Sequence, residues 1–174
     1  MFTTSYILSL FSIYSPLVLY PIPYINPNWI SQKRFMTLCE FRIFLLFTSF
    51  FSYNYFQDDS FFSTSWIAMI FGTLLLLVGQ FLNASVYSTL GIKGVYYGIQ
   101  YGTVVPKKLS TETFPFCLQH PLYIGGCLSY LGILLLTFWK ERGMDSSILF
   151  LWYNAEMIQF SLILMENYFD CIYG

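Results

Sequence analysis

The residues able to do chemistry in this chain are few. Two acids, Glu156 and Glu166, lie in an apolar C-terminal stretch, and the sole histidine, His120, stands in "FPFCLQHPLYIGG" (114–126). An ionisable group inside a membrane-crossing stretch is costly unless it faces the protein interior, so each acid is a candidate for function. Glu166, near the end of its stretch, reads first as a functional acid. Glu156, mid-way, reads first as a carboxylate satisfied by a helix–helix hydrogen bond. An imidazole exchanges its proton near neutral pH, so His120 can take a proton or donate to an acidic ligand. A polar residue at a helix entry is the competing reading. Pro121 behind it disfavours helix at His120 and favours an extended entry.

Tyrosines and glycines form the next candidates. In "GIKGVYYGIQYG", Gly91, Gly94, Gly98 and Gly102 recur at spacings of three, four and four. On a helix they would share one face and admit close backbone approach to another helix or a ligand. The interleaved Tyr96, Tyr97 and Tyr101 offer ring faces that attract sulfonium or quaternary ammonium groups by about 0.5–2 kcal/mol. A belt of aromatics at a membrane boundary would use the same residues. Gln80, Asn83 and Tyr87 make a polar stripe at helical spacing, suited to interhelical hydrogen bonds or to ligand contact. The sequon at Asn83 falls inside an apolar run and is not read as glycosylated.

The elements that must position these groups follow from composition. Of 174 residues, 56% are hydrophobic, 22% aromatic and 10% charged, with mean hydropathy +0.59. Soluble domains carry roughly 25% charged residues. The chain therefore reads as an all-α integral membrane protein, a single transmembrane domain over 1–174 with about five spans. They are Tyr6 to Tyr24 (kinked by Pro16, Pro21 and Pro23), Met36 to Tyr53, Phe61 to Leu90, Leu122 to Trp139, and Ser147 to Phe169. About 20 apolar residues cross the ~30 Å hydrocarbon core. The N-terminal stretch has no basic n-region and reads as a span, not as a targeting segment.

A net charge of −1 with eight Lys and Arg leaves no nucleic-acid footprint. Cys39, Cys117, Cys127 and Cys171 show no C-x-x-C spacing, so neither a disulfide framework nor a metal site is expected, and they read as buried small hydrophobes. Lys33, Arg34, Lys93, Lys107 and Lys108 put the first and third connections on the inner side, against Asp58 and Asp59 in the second. Lys140 and Arg142 in the fourth point the other way. In that topology the glycine run, the His120 stretch and Glu166 meet at one membrane face, where a pocket is expected.

"GQFLNASVYSTLGIKGVYYGIQYG", "FPFCLQHPLYIGGCLSYLGILLL" and a lone "LMEN" (164–167), in that order, resemble the phosphatidylethanolamine/phospholipid N-methyltransferase family, particularly its short plant and bacterial members. The likeness covers 76–169, within a methyltransferase-like core of about 61–170. It implies a multispanning helical enzyme that moves methyl groups from S-adenosylmethionine to the amine of phosphatidylethanolamine or its mono- and dimethyl forms. A Gly-x-Gly and a Glu-Glu pair hold the cofactor in animal members. These fall on Leu77, Val78 and Gly79, and on Glu166 and Asn167, so the second glycine and the first acid are kept. The resemblance implies a cofactor site of Gly79, Gly98, Tyr97, Gly125, Glu166 and Asn167, with Tyr123 and Gly125 near the sulfonium. His120 and Tyr123 are the catalytic candidates, His120 as the base that frees the acceptor amine of a proton.

Two readings remain. One is an active phospholipid N-methyltransferase working on the bilayer and its lipid headgroups, in the endoplasmic reticulum or the mitochondrial inner membrane. The other is a retired member of the family, suggested by the partly lost motifs and the short tail after Glu166, serving as a structural subunit of a larger, possibly mitochondrial, membrane complex. A methyltransferase acting on a thiol or a protein cysteine is a weaker third.

Overall fold

A computed structural model describes residues 2–55, 65–105, 114–115, 117–118, 120–138 and 146–173. Every regular element among them is helical: α1 (Phe2–Tyr14), α2 (Pro16–Leu19), α3 (Ile22–Ile25), α4 (Gln32–Tyr55), α5 (Trp66–Val95), α6 (Pro121–Phe138) and α7 (Ser146–Tyr173).

Proline spacing shapes the N-terminal part. Pro16 lacks an N–H and so opens α2, and Pro21 caps α3. The Tyr20 N–H donates to Pro16 O and the Asn26 N–H to Ile22 O, each at 2.9 Å, ending these two short helices. The expected kinked first span is therefore three helices in succession.

At the start of α5 the Ser65 hydroxyl accepts from the Ala68 N–H, the usual role of a serine cap. Its thirty residues extend for roughly 45 Å at ~1.5 Å per residue, longer than the hydrocarbon core. α5 and α6 run antiparallel with their backbones touching at glycines. A Cβ on Gly72 would stand 2.9 Å from Gly132 O, and one on Gly79 would stand 2.5 Å from Gly125 O. Two glycines seven residues apart on each helix thus form a seam that a larger side chain would force open. α7 packs on α6 and on α1, and α1 lies along α4. The core between them holds Ile13, Leu46, Tyr123, Ile158 and Leu162. The outer face of α5 is exposed and apolar, with Ile67, Ile70, Phe71, Leu74, Leu77 and Phe81 on it.

Among the described residues two stretches, Ile7–Ile25 and α5, are long and apolar enough to cross a membrane, and the apolar run of α6, Pro121–Thr137, is shorter. α4 carries Lys33, Arg34, Glu40 and Arg42, and α7 carries Glu156 and Glu166, which interrupts their apolar character. The five expected spans correspond to α1–α3 together, α4, α5, α6 and α7. Length and composition alone single out two of them.

Three expectations need correction. The four glycines of the Gly91 to Gly102 run do not share a helix face. Gly91 breaks the helix with φ 70°, ψ 163°, and Gly102 turns with φ 65°, so the chain leaves α5 in loops. His120 is outside the helix as expected, but in the left-handed region at φ 53° and not extended. Cys117 is exposed while Cys39 is buried and Cys127 half-buried, so only part of the cysteine expectation holds. The basic and acidic residues that argued orientation at Asp58, Asp59, Lys107, Lys108, Lys140 and Arg142 lie outside the described residues, as do Phe116, Gln119 and the Cys171 side chain.

Candidate functional site

The site forms where α5 ends, α6 begins and α7 nears its end. Beyond the Gly91 break, the chain turns so that Tyr97 sits at φ 57°, a conformation side-chain-bearing residues seldom adopt. The surrounding contacts impose it. The rings of Tyr20, Tyr24 and Phe35 meet the Tyr97 ring edge-on at 5.9, 5.3 and 5.7 Å between centroids. Gln32, 8% exposed at the start of α4, donates from Nε2 to Lys93 O at 2.9 Å and Tyr96 O at 3.0 Å. Its Oε1 accepts from the Thr103 hydroxyl at 2.5 Å. Thr103 and Val104 N–H in turn close on Gly98 O at 2.8 and 3.1 Å. One buried amide thus ties both ends of the Tyr96–Tyr97 turn to α4.

On the other side, Pro121 opens α6, where a missing N–H is harmless, and the His120 carbonyl takes the Tyr123 and Ile124 N–H groups at 3.1 and 3.2 Å. Phe114 of the preceding block stacks on Phe81 of α5 with centroids 5.7 Å apart. These contacts deliver His120 and Tyr123 to α7.

Glu166 is the centre. Its Oε1 accepts from the Tyr123 hydroxyl at 2.6 Å and the Tyr97 hydroxyl at 3.1 Å. Its Oε2 lies 3.7 Å from His120 Nδ1, and the other ring nitrogen of His120 is 3.1 Å from Asn167 Oδ1. His120 and Glu166 side chains are 22% and 21% exposed, open enough to meet a ligand. Burial above all, then Tyr123 and Glu166 beside it, pushes the Tyr97 phenol well above its usual range, so it remains a donor at any physiological pH.

Two cavities share the wall formed by Tyr97, Tyr123, Leu122 and Glu166. One, of about 750 Å³, is also lined by Tyr20, Asn83, Tyr87, Tyr96 and Gln159. The other, of about 950 Å³, is also lined by Tyr24, Gly94, Gln100 and His120. Asn83, at the first cavity, has a buried Oδ1 without a hydrogen-bond partner, packed toward Gly125. A carboxylate ringed by phenols and ring faces, beside volumes of this size, suits a ligand carrying positive charge.

Of the residues singled out in the sequence, His120, Tyr123, Tyr97, Glu166 and Asn167 come together here. Gly79 and Gly125 stand in the α5–α6 seam, and Gly98 is pressed against Lys93 O within its turn. None of these three lines either cavity. The polar stripe divides. Gln80 donates to Ser129 Oγ at 2.9 Å between helices, whereas Asn83 and Tyr87 face the first cavity. Glu156 lies ten residues before Glu166, about 15 Å away along α7, and takes no part. Sequence reasoning missed Gln32, Tyr20 and Tyr24. The repeated aromatics of "YPIPY" (20–24) were a signal for the tyrosines, but nothing local marked Gln32.

Comparison with known proteins places the sequence. A family model described as "Phospholipid methyltransferase" matches residues 67–171. A phosphatidyl-N-methylethanolamine N-methyltransferase of Arabidopsis thaliana is 41% identical over 73 residues, which are 41% of this chain and 43% of that protein. The similarity thus spans less than half the relative's length. No solved structure matches.

Proposed function

The chain belongs to the phospholipid methyltransferase family, and from that premise we propose that it is an integral membrane enzyme of five spans that methylates the amine of phosphatidylethanolamine or its mono- and dimethyl forms. The observation that carries this reading is Glu166, held by two phenols at a wall common to two cavities. One cavity serves the methyl donor and the other the acceptor lipid, so the reacting groups meet at the shared wall. S-adenosylmethionine, when bound, supplies a methyl group carried on a positively charged sulfur.

The residues present fit such a ligand. Glu166 offers negative charge, Tyr24, Tyr97 and Tyr123 offer phenol groups and ring faces, and Asn167 offers an amide group. Tyr97 and Tyr123 donate to Glu166 Oε1, which fixes the carboxylate and leaves its second oxygen toward His120. Methylation of an amine requires its neutral form, and His120 at this wall is the base that takes the proton. The wall shared by the two cavities lets donor and acceptor be held in line, which is most of what such a transfer needs. The 41% identity to a phosphatidyl-N-methylethanolamine N-methyltransferase supports a partly methylated acceptor. A retired structural subunit, by contrast, has no observation of its own behind it.

The test is methyl transfer by the purified chain, with S-adenosylmethionine and each of the three ethanolamine lipids in turn. Transfer to at least one is expected, and none to any would overturn the reading. His120→Asn should lower the rate near pH 7 by about 10²-fold. An unchanged rate removes the base role while leaving the enzyme.

A further inference from the structure

Arg42, we propose, binds the phosphodiester of the acceptor phospholipid, between the polar cavity that takes its amine and an apolar cleft that takes an acyl chain. This rests on the methyl-transfer reading above and says how the acceptor is recognised. Arg42 stands ten residues after Gln32 in α4, roughly 15 Å along the helix. A guanidinium half-buried there without an anion is costly. Yet among the described residues no carboxylate lies within ion-pair distance of it.

What Arg42 does touch leaves capacity to spare. Nη1 donates to Ser12 O over a long 3.4 Å, and the guanidinium carbon stands 6.0 Å from the centroid of the Tyr20 ring. Its Nε–H is buried and has no partner. Ser12 supplies an independent second orphan, because this residue is fully buried and its hydroxyl is also unpartnered. An Nε–H and a hydroxyl, both unpaired, on two residues joined by the Nη1 contact with Ser12 O, are donors able to receive a phosphate oxygen.

Position decides which anion. Tyr20, the ring beside Arg42, lines the polar cavity with Glu166. Ile13, next to Ser12, and Leu46, one turn beyond Arg42, line a narrow apolar cleft with Tyr130 and Trp152. Tyr123 in the polar cavity and Tyr130 in the cleft are seven residues apart on α6, about 10 Å. Amine site, cation and apolar cleft follow one another in the order of a phospholipid's amine, phosphate and chain. The donor's own carboxylate is the other anion that could seek Arg42, and the experiment separates the two.

The full chain in detergent micelles is given phosphatidyl-N-methylethanolamine, or a phosphate-free diacyl lipid ending in the same N-methylamine. Wild-type kcat/KM is expected to favour the phospholipid by about 30-fold, as loss of a buried charge-assisted contact implies. Arg42→Gln should bring that ratio to about one, and Arg42→Lys to an intermediate value, with the KM for S-adenosylmethionine unmoved. A loss shared equally by both lipids, or a raised KM for the donor, overturns the proposal. If Arg42→Gln does not fold, Ser12→Ala and Arg42→Lys decide: an unchanged lipid ratio in both overturns it. If the wild-type chain transfers no methyl group, the enzymatic reading fails. Binding of the two lipids, read by native mass spectrometry, then still judges Arg42. Equal wild-type affinity for them overturns the assignment, and a preference for the phosphate lipid lost in Arg42→Gln sustains it.

Discussion

Residues 67–171, which the family model covers, and residues 2–55, which it does not, meet at the ring of Tyr97. The covered part brings the polar groups: Tyr97 after α5, His120 and Tyr123 at the start of α6, Glu166 and Asn167 on α7. The uncovered part brings the brace, with Tyr20, Tyr24 and Phe35 around the ring and Gln32 beneath its turn. A left-handed tyrosine persists only where its surroundings over-determine it, and most of those surroundings belong to the N-terminal helices. The polar groups of the site and the means of holding them thus sit in different parts of the chain.

Glu166→Ala removes the acceptor of two phenols and the negative charge of the site together. Affinity for S-adenosylmethionine should fall at least about 100-fold, since charged hydrogen bonds at buried sites are lost and two buried donors are left unpaired. Calorimetry on the detergent-purified chain measures it. Undiminished affinity would place the cofactor elsewhere and dissolve the comparison, because the covered part would then lack its centre.

Gly79 tests the seam instead. A Cβ there would meet Gly125 O at 2.5 Å and the Ser129 N–H nitrogen at 2.9 Å, both backbone atoms that cannot swing aside. Gly79→Ala should cost about 1–3 kcal/mol by overpacking, a fall of roughly 5 °C in the unfolding midpoint of a chain this size. Cofactor affinity of the folded fraction should be kept. A variant of normal stability that no longer binds S-adenosylmethionine would make Gly79 a cofactor contact, as the resemblance implied.

That contrast shows what was legible in the sequence. Helix positions were, because apolar runs bounded by proline, glycine and charge leave few alternatives. The convergence of His120, Tyr123, Tyr97 and Glu166 was expected too, since the order of the spans places those ends at one face. The role of the glycines was less so. A glycine that admits a ligand and one that admits a neighbouring backbone look alike in one dimension, and Gly72 and Gly132 make the seam reading visible only as a reciprocal pair. The geometry of the 91–102 turn was hidden for a similar reason. Regular glycine spacing suggests a helix face, while Gly91 and Gly102 in fact supply the positive φ that ends the helix. Gln32 was hidden altogether, because its partners Lys93, Tyr96 and Thr103 are more than sixty residues away.

Gln32 also gives the smallest and most discriminating test. Gln32→Ala deletes two bonds donated to backbone carbonyls and one accepted from Thr103, while Gln32 itself lines neither cavity. With Tyr97 less firmly held, kcat/KM should fall by about 5–10-fold, the scale of one or two neutral hydrogen bonds. Gln32→Glu retains the acceptor for Thr103 but cannot donate to Lys93 O or Tyr96 O, so it should resemble the alanine variant if those two bonds orient the turn. A general loosening of the fold would lower activity just as well, so the deciding measurement is a double-mutant cycle with Tyr97→Phe. Once the Tyr97 hydroxyl is absent, Gln32→Ala has no bond to Glu166 left to misplace, and its effect should shrink to nearly nothing. Equal effects in both backgrounds would mean that α4 merely supports the bundle, and the division between brace and chemistry would have to be drawn at Tyr20 and Tyr24 instead.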